Sequence, residues 1–450
     1  MHRNSASVST KQERIATLAK QSPQMTFTSL AYLLDLEWLK EAYQRTRKDG
    51  AVGVDGVTAE EYEQDLEGNL QRLLDHAKSG TYHASPVRRV HIPKGGSPTE
   101  TRPLGIPTLE DKVLQRAIVM LLEPMYEQDF LDCSHGFRPG RSAHKALDSF
   151  RNQMMDSRGG WVLEVDIRKF FDNLDHRHLR AFLRLRVRDG VVLRLIDKWL
   201  KAGVMEDGSV SYPDAGTPQG GVISPVLSNV FLHYVLDQWF EQEVKPRLRR
   251  RAFLIRYADD FVIGFRDERD AQRVMEVLPK RFERYGLAIH PTKKKLVPFR
   301  PTLPSTDGDN GTRAYRPGTF DLLGFTHYWA RSLRGNWVIK QKTASDRFSR
   351  AMRSIDSWCQ ANRHISLSEQ QQKLNEKLRG HYAYYGVTGN SGALSRFLCE
   401  VERRCGGSGF IAATVIARST GSAFNARSND TRWRVYEPSI RFTDMQQTRD

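Results

Sequence analysis

Cysteine is scarce in this sequence. Its occurrences lie far apart and form no Cys-x-x-Cys pair: Cys133, Cys359, Cys399 and Cys405. Structural zinc sites and disulfide frameworks need cysteines at short, recognisable spacings. The sequence therefore indicates neither kind of site. His176 and His178 form a His-x-His pair, but without neighbouring Cys or His residues we interpret it as part of a helix start rather than a metal site.

Long apolar segments are also absent. The longest run, Ala117–Leu122, is far shorter than the roughly 20 residues that a membrane-spanning helix needs. Residues Met1–Ser5 are polar and contain no apolar signal-peptide core. We therefore expect a cytoplasmic protein without a membrane segment.

Acidic residues are outnumbered by basic ones. The 450 residues include 69 Lys and Arg against 53 Asp and Glu, a formal net charge of +16. This surplus favours a polyanionic partner, either nucleic acid or an anionic membrane. Because 39% of the residues are hydrophobic, the chain can bury a substantial core. Its length suggests about two to three domains. A nucleic-acid-binding protein is the simplest interpretation.

Two adjacent carboxylates, Asp259 and Asp260, lie between the apolar runs Phe253–Ile255 and Phe261–Ile263. This pattern predicts two strands joined by a tight turn that carries the acids. An ordinary Asp-Asp hairpin turn would show the same pattern. Unpaired neighbouring carboxylates are unfavourable in an apolar setting, whereas Mg²⁺ turns their repulsion into affinity. A third carboxylate elsewhere would favour the metal site.

Such a carboxylate follows another predicted strand, because the apolar segment from Trp161 to Val165 ends at Asp166. Three acids at the ends of two strands are what a two-metal phosphoryl-transfer site needs, with ions about 3.5–4 Å apart. Glu164 and Asp175 are alternative acids in this segment, and Asp166 ranks first.

Further motifs accompany these acids in a fixed order between about residues 48 and 400. They are Gly53–Thr58, Ile92–Lys94, Arg102–Pro107, Ser134–Ser142, the Asp166 strand, Gly216–Pro225, Tyr257–Asp260 and Leu322–Phe325. In this order they resemble the reverse transcriptase/maturase encoded within bacterial group II introns. The resemblance implies an α+β fold: a right-hand polymerase, with an antiparallel sheet in fingers and palm, followed by a helical thumb or maturase domain X.

The resemblance also implies four regions. They are an N-terminal helical extension (1–45), the fingers and palm (46–335), the helical thumb (336–404) and an atypical tail (405–450). No His-Asn-His nuclease pattern with paired cysteines follows the thumb. We therefore expect no DNA-cleaving domain.

The resemblance assigns catalysis and metal binding to Asp166, Asp259 and Asp260, with the backbone carbonyl of Ile167 as another metal ligand. The implied cofactor is a pair of Mg²⁺ ions, for which Mn²⁺ can substitute. Implied contacts to template or primer are Arg138, Arg141, Tyr257, Lys293, Leu323 and Gly324.

Four residues are implied to bind the incoming nucleotide. Lys94 and Arg102 flank a predicted hairpin turn, where a point charge and a bidentate fork suit a triphosphate. A solvated basic hairpin is the alternative. Phe171 is implied to lie beneath the sugar and exclude a 2′-hydroxyl, while Phe170 belongs to the core. Gln219 is implied to lie at the nascent base pair, although it could instead cap the following helix.

The implied function is RNA-directed DNA polymerisation, together with intron RNA binding for splicing and retromobility. The implied partners are intron RNA, an RNA template, a DNA or RNA primer and deoxynucleoside triphosphates, with a homodimer as a further option. Two alternatives stay open: a related reverse transcriptase co-opted for another role, and an RNA-binding splicing factor without polymerase activity.

The sequence departs from the family after Arg404. The family continues with a Trp-x-x-Trp-Leu-x-Arg-Arg helix and a later Trp-x-x-Phe, whereas residues 405–414 here are glycine-rich without helical periodicity. Codons in an offset frame can restore both motifs, which predicts a frameshift near Arg404 and a poorly ordered tail. A genuine divergent C-terminus, favoured by the basic run Arg432–Arg441, is the alternative.

Overall fold

The computed structural model describes residues 7–93, 101–206, 208–212, 216, 220–290, 294–301 and 317–406. The chain divides into two compact units, residues 1–300 and 301–450. Among the described residues, no helix is long and apolar enough to cross a membrane.

The first unit contains two sheets of four strands each, ordered β2-β1-β4-β5 and β6-β7-β3-β8. Every neighbouring pair in the second sheet is antiparallel. In the first sheet, β1 pairs in parallel with β4, and the other pairs are antiparallel. The strands are β1 (Val87–Pro93), β2 (Thr101–Ile106), β3 (Gly160–Val165), β4 (Val204–Glu206), β5 (Ser209–Ser211), β6 (Ala252–Tyr257), β7 (Asp260–Phe265) and β8 (Lys295–Phe299).

Helices surround these sheets. In the first unit they are α1 (Val8–Gln21), α2 (Leu36–Gln44), α3 (Ala59–Glu63), α4 (Leu66–Ser79), α5 (Leu109–Asp129), α6 (Ala143–Asp156), α7 (His176–Arg184), α8 (Gly190–Leu200), α9 (Ser224–Leu232) and α10 (Glu268–Glu283). Helix α5 is the central one, because its buried residues occupy nearly every face. Helices α1 and α2 pack against it, and Leu30, Leu34 and Leu39 are buried in the same core.

Two predicted helices are interrupted. The sequence pattern predicts one helix over residues 177–201, whereas the structure has two, α7 and α8. Helix α7 ends at Arg184, and α8 begins after Asp189, whose carboxylate accepts hydrogen bonds from the backbone N–H groups of Val191 and Val192. The sequence pattern also predicts one amphipathic helix over residues 59–78, and the structure divides it into α3 and α4.

The sequence predicts a buried helix over residues 223–240, and the structure has a helix there that changes type along its length. Helix α9 ends at Leu232, and two π-helical segments follow, His233–Asp237 and Trp239–Val244. Single π-helical turns in proteins are rare and often lie at functional sites.

The second unit combines a small antiparallel sheet with helices. The strands are β9 (Phe320–Leu322), β10 (Phe325–Arg331) and β11 (Trp337–Thr343), and the helices are α11 (Ser345–Ala361), α12 (Leu367–Tyr385) and α13 (Ser391–Gly406). Their buried hydrophobic cluster consists of Met352, Ile355, Cys359, Leu374, Leu378, Phe397 and Val401. The predicted α+β fold, with antiparallel sheets and a helical region after them, is confirmed. The four region boundaries stay predictions, and residues 407–450 of the atypical tail lie outside the described residues.

Candidate active site

The central sheet brings the three predicted acids to one end. Strands β6 and β7 form a hairpin whose last pair is Tyr257 with Asp260, which leaves Ala258 and Asp259 as the turn. Strand β3 pairs with β7 so that Val165 faces Phe261. Asp166 directly follows Val165 and Asp260 directly precedes Phe261. The two acids therefore come at the same end of neighbouring strands.

The charges at this end influence one another. Burial raises the pKa of Asp259, and the nearby carboxylate of Asp166 raises it further, whereas the positive charges of Arg102 and Arg256 lower it. Asp259 is half-buried, while Asp260 is exposed. Asp259 is thus within electrostatic reach of Asp166, Arg102 and Arg256.

These donors fit a magnesium site that substrate completes. Mg²⁺ usually binds to one or two carboxylates together with substrate phosphates and water. In the described part of the chain, no three or more His, Cys, Asp or Glu side chains are already gathered around a possible metal position. The repulsion between Asp166 and Asp259 is what a cation would relieve. The carboxylates therefore match the chemistry of Mg²⁺ without forming a complete protein cage.

The backbone around Asp166 is fixed from the neighbouring segment. The carbonyl of Asp166 accepts a hydrogen bond of 2.8 Å from His290 N–H, and Arg168 N–H donates to the Ala288 carbonyl at 2.8 Å. Ile167 forms a bridge with Ile289 between these bonds. The predicted role of the Ile167 carbonyl as a metal ligand stays a prediction.

Asp175, one alternative acid, has a different role. It is the N-cap of α7, where its carboxylate accepts a hydrogen bond of 2.9 Å from His178 N–H. His176 begins the same helix and contacts the Gly216 carbonyl through Nε2 at 2.5 Å. These contacts support the interpretation of the His-x-His pair as part of a helix start.

The predicted nucleotide-binding residues are brought together in part. Phe170 is buried as expected, and the half-buried ring of Phe171 meets it edge-on at 5.2 Å between centroids. Gly216, at φ 95°, packs on the Phe171 backbone: a Cβ there would lie 2.8 Å from the Phe171 carbonyl oxygen.

The other end of the same loop reaches β2. A Cβ on Gly220 would lie 2.3 Å from the carbonyl oxygen of Gly105 on β2, the strand that also carries the exposed Arg102. Glycine is required at such close backbone approaches. Gly216 therefore lies against the Phe171 segment, and Gly220 lies against the strand that carries Arg102. Lys94 and Gln219 lie outside the described residues.

The predicted template and primer contacts divide into two groups. Arg138 has a structural role: its side chain is 3% exposed, pairs with Glu127 and donates to the carbonyls of Leu131 and Ser134 at 2.8 Å. We therefore do not retain it as a phosphate contact. Arg141 is half-buried and pairs with Asp132 at 2.6 Å.

Tyr257 has an aromatic neighbour that sequence reasoning missed. Phe137 is 51% exposed at φ 56°, and its ring centroid lies 6.5 Å from that of Tyr257. An exposed aromatic residue with positive φ is uncommon enough to have signalled a function. Lys293 lies outside the described residues. Leu323 and Gly324, both with positive φ, form the turn between β9 and β10 of the second unit.

The turn that carries Asp259 is strained. Ala258 has a φ of 56°, which for a non-glycine residue costs about 1–3 kcal/mol. Such a conformation persists only where the surroundings impose it. Beneath this turn lies a buried polar network around Arg256 that sequence reasoning also missed. The available signal was a charged residue at the end of an otherwise apolar strand.

Comparison with known proteins identifies the family of the chain. The sequence profile described as reverse transcriptase (RNA-dependent DNA polymerase) matches residues 92–327, just over half of the chain. The group II intron-encoded protein LtrA of Lactococcus lactis subsp. cremoris is 29% identical over 87% of this chain and 76% of its own length. Protein YkfC of Escherichia coli (strain K12) is 38% identical over 57% of this chain and 75% of its own length. Reverse transcriptases generally use divalent metal ions such as Mg²⁺. The chain belongs to the reverse transcriptase (RNA-dependent DNA polymerase) family, as a group II intron-encoded reverse transcriptase/maturase.

Proposed function

We propose that the protein extends a DNA or RNA primer on an RNA template by two-metal nucleotidyl transfer at Asp166, Asp259 and Asp260. The observation that carries this proposal is the meeting of these acids at one end of neighbouring antiparallel strands, where the charge of Asp166 acts on Asp259. Two Mg²⁺ ions, or Mn²⁺ in their place, would activate the primer hydroxyl and neutralise the leaving oxygens. The carboxylates and the Ile167 carbonyl would hold them.

The other site residues bind and orient the nucleotide in this proposal. Arg102 would contact the triphosphate together with Lys94, and its effect on the Asp259 pKa supports a position close to the acids. Phe171 would lie beneath the deoxyribose, and Gln219 would lie at the nascent base pair. Holding the triphosphate beside the primer end replaces a bimolecular encounter with an oriented reaction.

The proposed nucleic-acid partners are the intron RNA, the RNA template and the primer. Support comes from the net charge of +16 and from relatives named for introns, among them nuclear intron maturase 1, mitochondrial of Arabidopsis thaliana, 34% identical over 21% of this chain and 13% of its own length. Arg141, Tyr257, Lys293, Leu323 and Gly324 would contact template or primer. Splicing support, retromobility, a cytoplasmic location and a homodimer are proposed on the same resemblance.

Primer extension by an Asp259→Ala variant tests the catalytic assignment. The rate should fall by several orders of magnitude while RNA affinity stays near wild type, since metals serve the chemistry and basic surface supplies affinity. Asp175→Ala is the matched control, because that acid caps α7 and should affect stability rather than rate. Near wild-type primer extension by Asp259→Ala would contradict the proposed catalytic site.

We also propose that a frameshift near Arg404 produced the tail from residue 405 onward, leaving the polymerase intact but weakening splicing support. Sequencing the gene tests this. An offset frame without Trp-Leu-x-Arg-Arg codons would favour a genuine divergent C-terminus.

A further inference from the structure

The strained turn before Asp259 has a specific neighbour, the side chain of Arg256. This residue is fully buried at the end of β6, two positions before Ala258. Its Nη1 donates a hydrogen bond to the Ala258 carbonyl, with 3.0 Å between nitrogen and oxygen. The guanidinium therefore contacts the same peptide segment that determines the direction of the Asp259 carboxylate.

All the donor capacity of Arg256 is used inside the protein. A guanidinium has five N–H groups, and the structure gives five hydrogen bonds. Nε and Nη2 donate to the two Asp237 carboxylate oxygens at 2.8 and 2.6 Å, and Nη2 also donates to Ser134 Oγ at 2.7 Å. Nη1 donates to Asn229 Oδ1 at 2.9 Å in addition to the Ala258 carbonyl. The orientation of the fork is thus fixed by three partners outside the turn.

The turn is also held from its other side. Asn229 Nδ2 donates to the Gly136 carbonyl at 2.8 Å, and a Cβ on Gly136 would lie only 2.2 Å from the Ala258 nitrogen. The Gly136 backbone therefore lies directly against the turn, where no side chain fits. Asn229 links the two sides, because its amide contacts both Arg256 and Gly136.

The anchor of this arrangement lies in an irregular helix. Asp237 is fully buried and ends the π-helical segment His233–Asp237. A buried ion pair is a poor general source of stability, because removing two charges from water offsets their attraction. Its retention here is better explained by the geometry that it imposes on the guanidinium.

We propose that Arg256 is a positioning residue for polymerisation, which holds the Ala258 carbonyl so that the Asp259 carboxylate faces Asp166 in the metal-binding orientation. This inference rests on the proposed two-metal function of the acids. Arg256 itself touches neither substrate nor metal in this account. It acts through the turn, as outer groups that orient metal ligands do in other sites.

The test is Arg256→Lys, which keeps the charge but replaces the planar fork by a single nitrogen. Single-nucleotide incorporation is measured against Mg²⁺ concentration, with burst amplitude counting active molecules. The rate per active molecule should fall roughly 10²-fold, as for a misplaced reacting group. The half-saturating Mg²⁺ concentration should rise about 10-fold or more. The Kd for primer–template should stay within about twofold, because nucleic-acid affinity comes from basic surface.

Arg186→Lys is the matched control. Arg186 has a side chain that is 4% exposed, pairs with Asp129 at 2.8 Å and donates to the carbonyls of Pro23 and Met25 at 2.7 Å. It is a buried, fork-bonded arginine outside the site. Its substitution should lower Tm and active fraction while leaving the Mg²⁺ dependence of the active molecules unchanged.

The outcomes separate the two proposals. If Arg256→Lys behaves like Arg186→Lys, with fewer active molecules of normal Mg²⁺ dependence, Arg256 is merely structural and the inference is overturned. Should Arg256→Lys fail to fold, Asn229→Ala decides, since it retains the Asp237 pair but removes the link between Arg256 and Gly136. The inference requires a raised Mg²⁺ requirement in that variant, and an unchanged one overturns it. Undiminished extension by Asp259→Ala would instead overturn the metal site itself.

Discussion

The two units bury polar groups in different ways. Beneath the sheet of the first unit that carries the predicted acids, the charged pair Arg256 and Asp237 is completely buried and connects distant segments. In the second unit, amide side chains have the comparable positions. Asn390 accepts a hydrogen bond from Thr343 N–H at 2.9 Å, and Gln370 donates to the Ile365 carbonyl at 2.8 Å.

This difference separates the demands on the two units. Neutral amides satisfy backbone groups at the ends of helices and strands without the desolvation cost of full charges. Such amides are sufficient where helices and strands need to be held together without a precise orientation. A buried ion pair with every donor used fixes orientation more tightly, and it occurs beside the strained turn at Ala258. We therefore expect the ion pair beside the Ala258 turn to fix local geometry, and the buried amides of the second unit to hold its elements together.

The largest expected effect on this comparison comes from the hydrophobic cluster of the second unit. Leu374 is fully buried there, so Leu374→Ala should lower the free energy of unfolding of that unit by about 2–5 kcal/mol. Primer–template affinity should weaken, since the implied thumb carries Leu374, while the Mg²⁺ dependence of bound complexes stays unchanged. Chemical denaturation and filter binding measure the two effects.

Gln372→Ala, at an exposed position of the same helix, is the control and should change stability by no more than about 0.5 kcal/mol. A Leu374→Ala protein with a shifted Mg²⁺ requirement would contradict the separation of cohesion from catalytic geometry.

The next effect concerns Arg102 on β2, which we propose binds the nucleotide next to the acids of the other sheet. Arg102→Ala should lower kcat/KM for the nucleotide, because a hydrogen bond to a charged group is lost. The expected loss of transition-state stabilisation is about 1.5–3 kcal/mol. Arg102→Lys should lose less, because the charge remains while the fork is lost. Steady-state kinetics at saturating primer–template measures both. Equal losses in the two variants would argue against bidentate phosphate contact.

Local sequence pattern predicted the strands next to the three acids because alternation and apolar runs report burial directly. The runs before and after Asp259 and Asp260 became β6 and β7, and the segment before Asp166 became β3. The α7–α8 break was missed although Asp189-Gly190 is a helix-start signal, since the apolar periodicity on both sides looked continuous.

The hydrogen-bond network around Arg256 could not be predicted from the sequence for a different reason. Ser134, Asn229 and Asp237 are 19 to 122 residues away from Arg256 along the chain, and only tertiary packing brings them together. The burial of Arg138 was hidden in the same way, because a loop dense in Gly, Pro and Arg looks like an exposed phosphate-binding segment. Residue type indicated which side chains carry charge, while the fold decided which of them face solvent.

The smallest expected effect concerns sugar selection by the aromatic pair after Asp166. Phe171 is half-buried, and its backbone supports Gly216. Phe171→Ala should relax exclusion of ribonucleotides by removing the ring that a 2′-hydroxyl would meet. The ratio of kcat/KM for deoxy- and ribonucleotides should fall. The corresponding loss of discrimination free energy is about 1–3 kcal/mol, as is usual for a steric difference in a pocket. Phe170→Leu is the matched control, because Phe170 is 2% exposed and belongs to the core. That control should lower thermal stability and leave the ratio unchanged. A ratio that moves with Phe170→Leu but not with Phe171→Ala would assign Phe171 to packing and remove it from the nucleotide site.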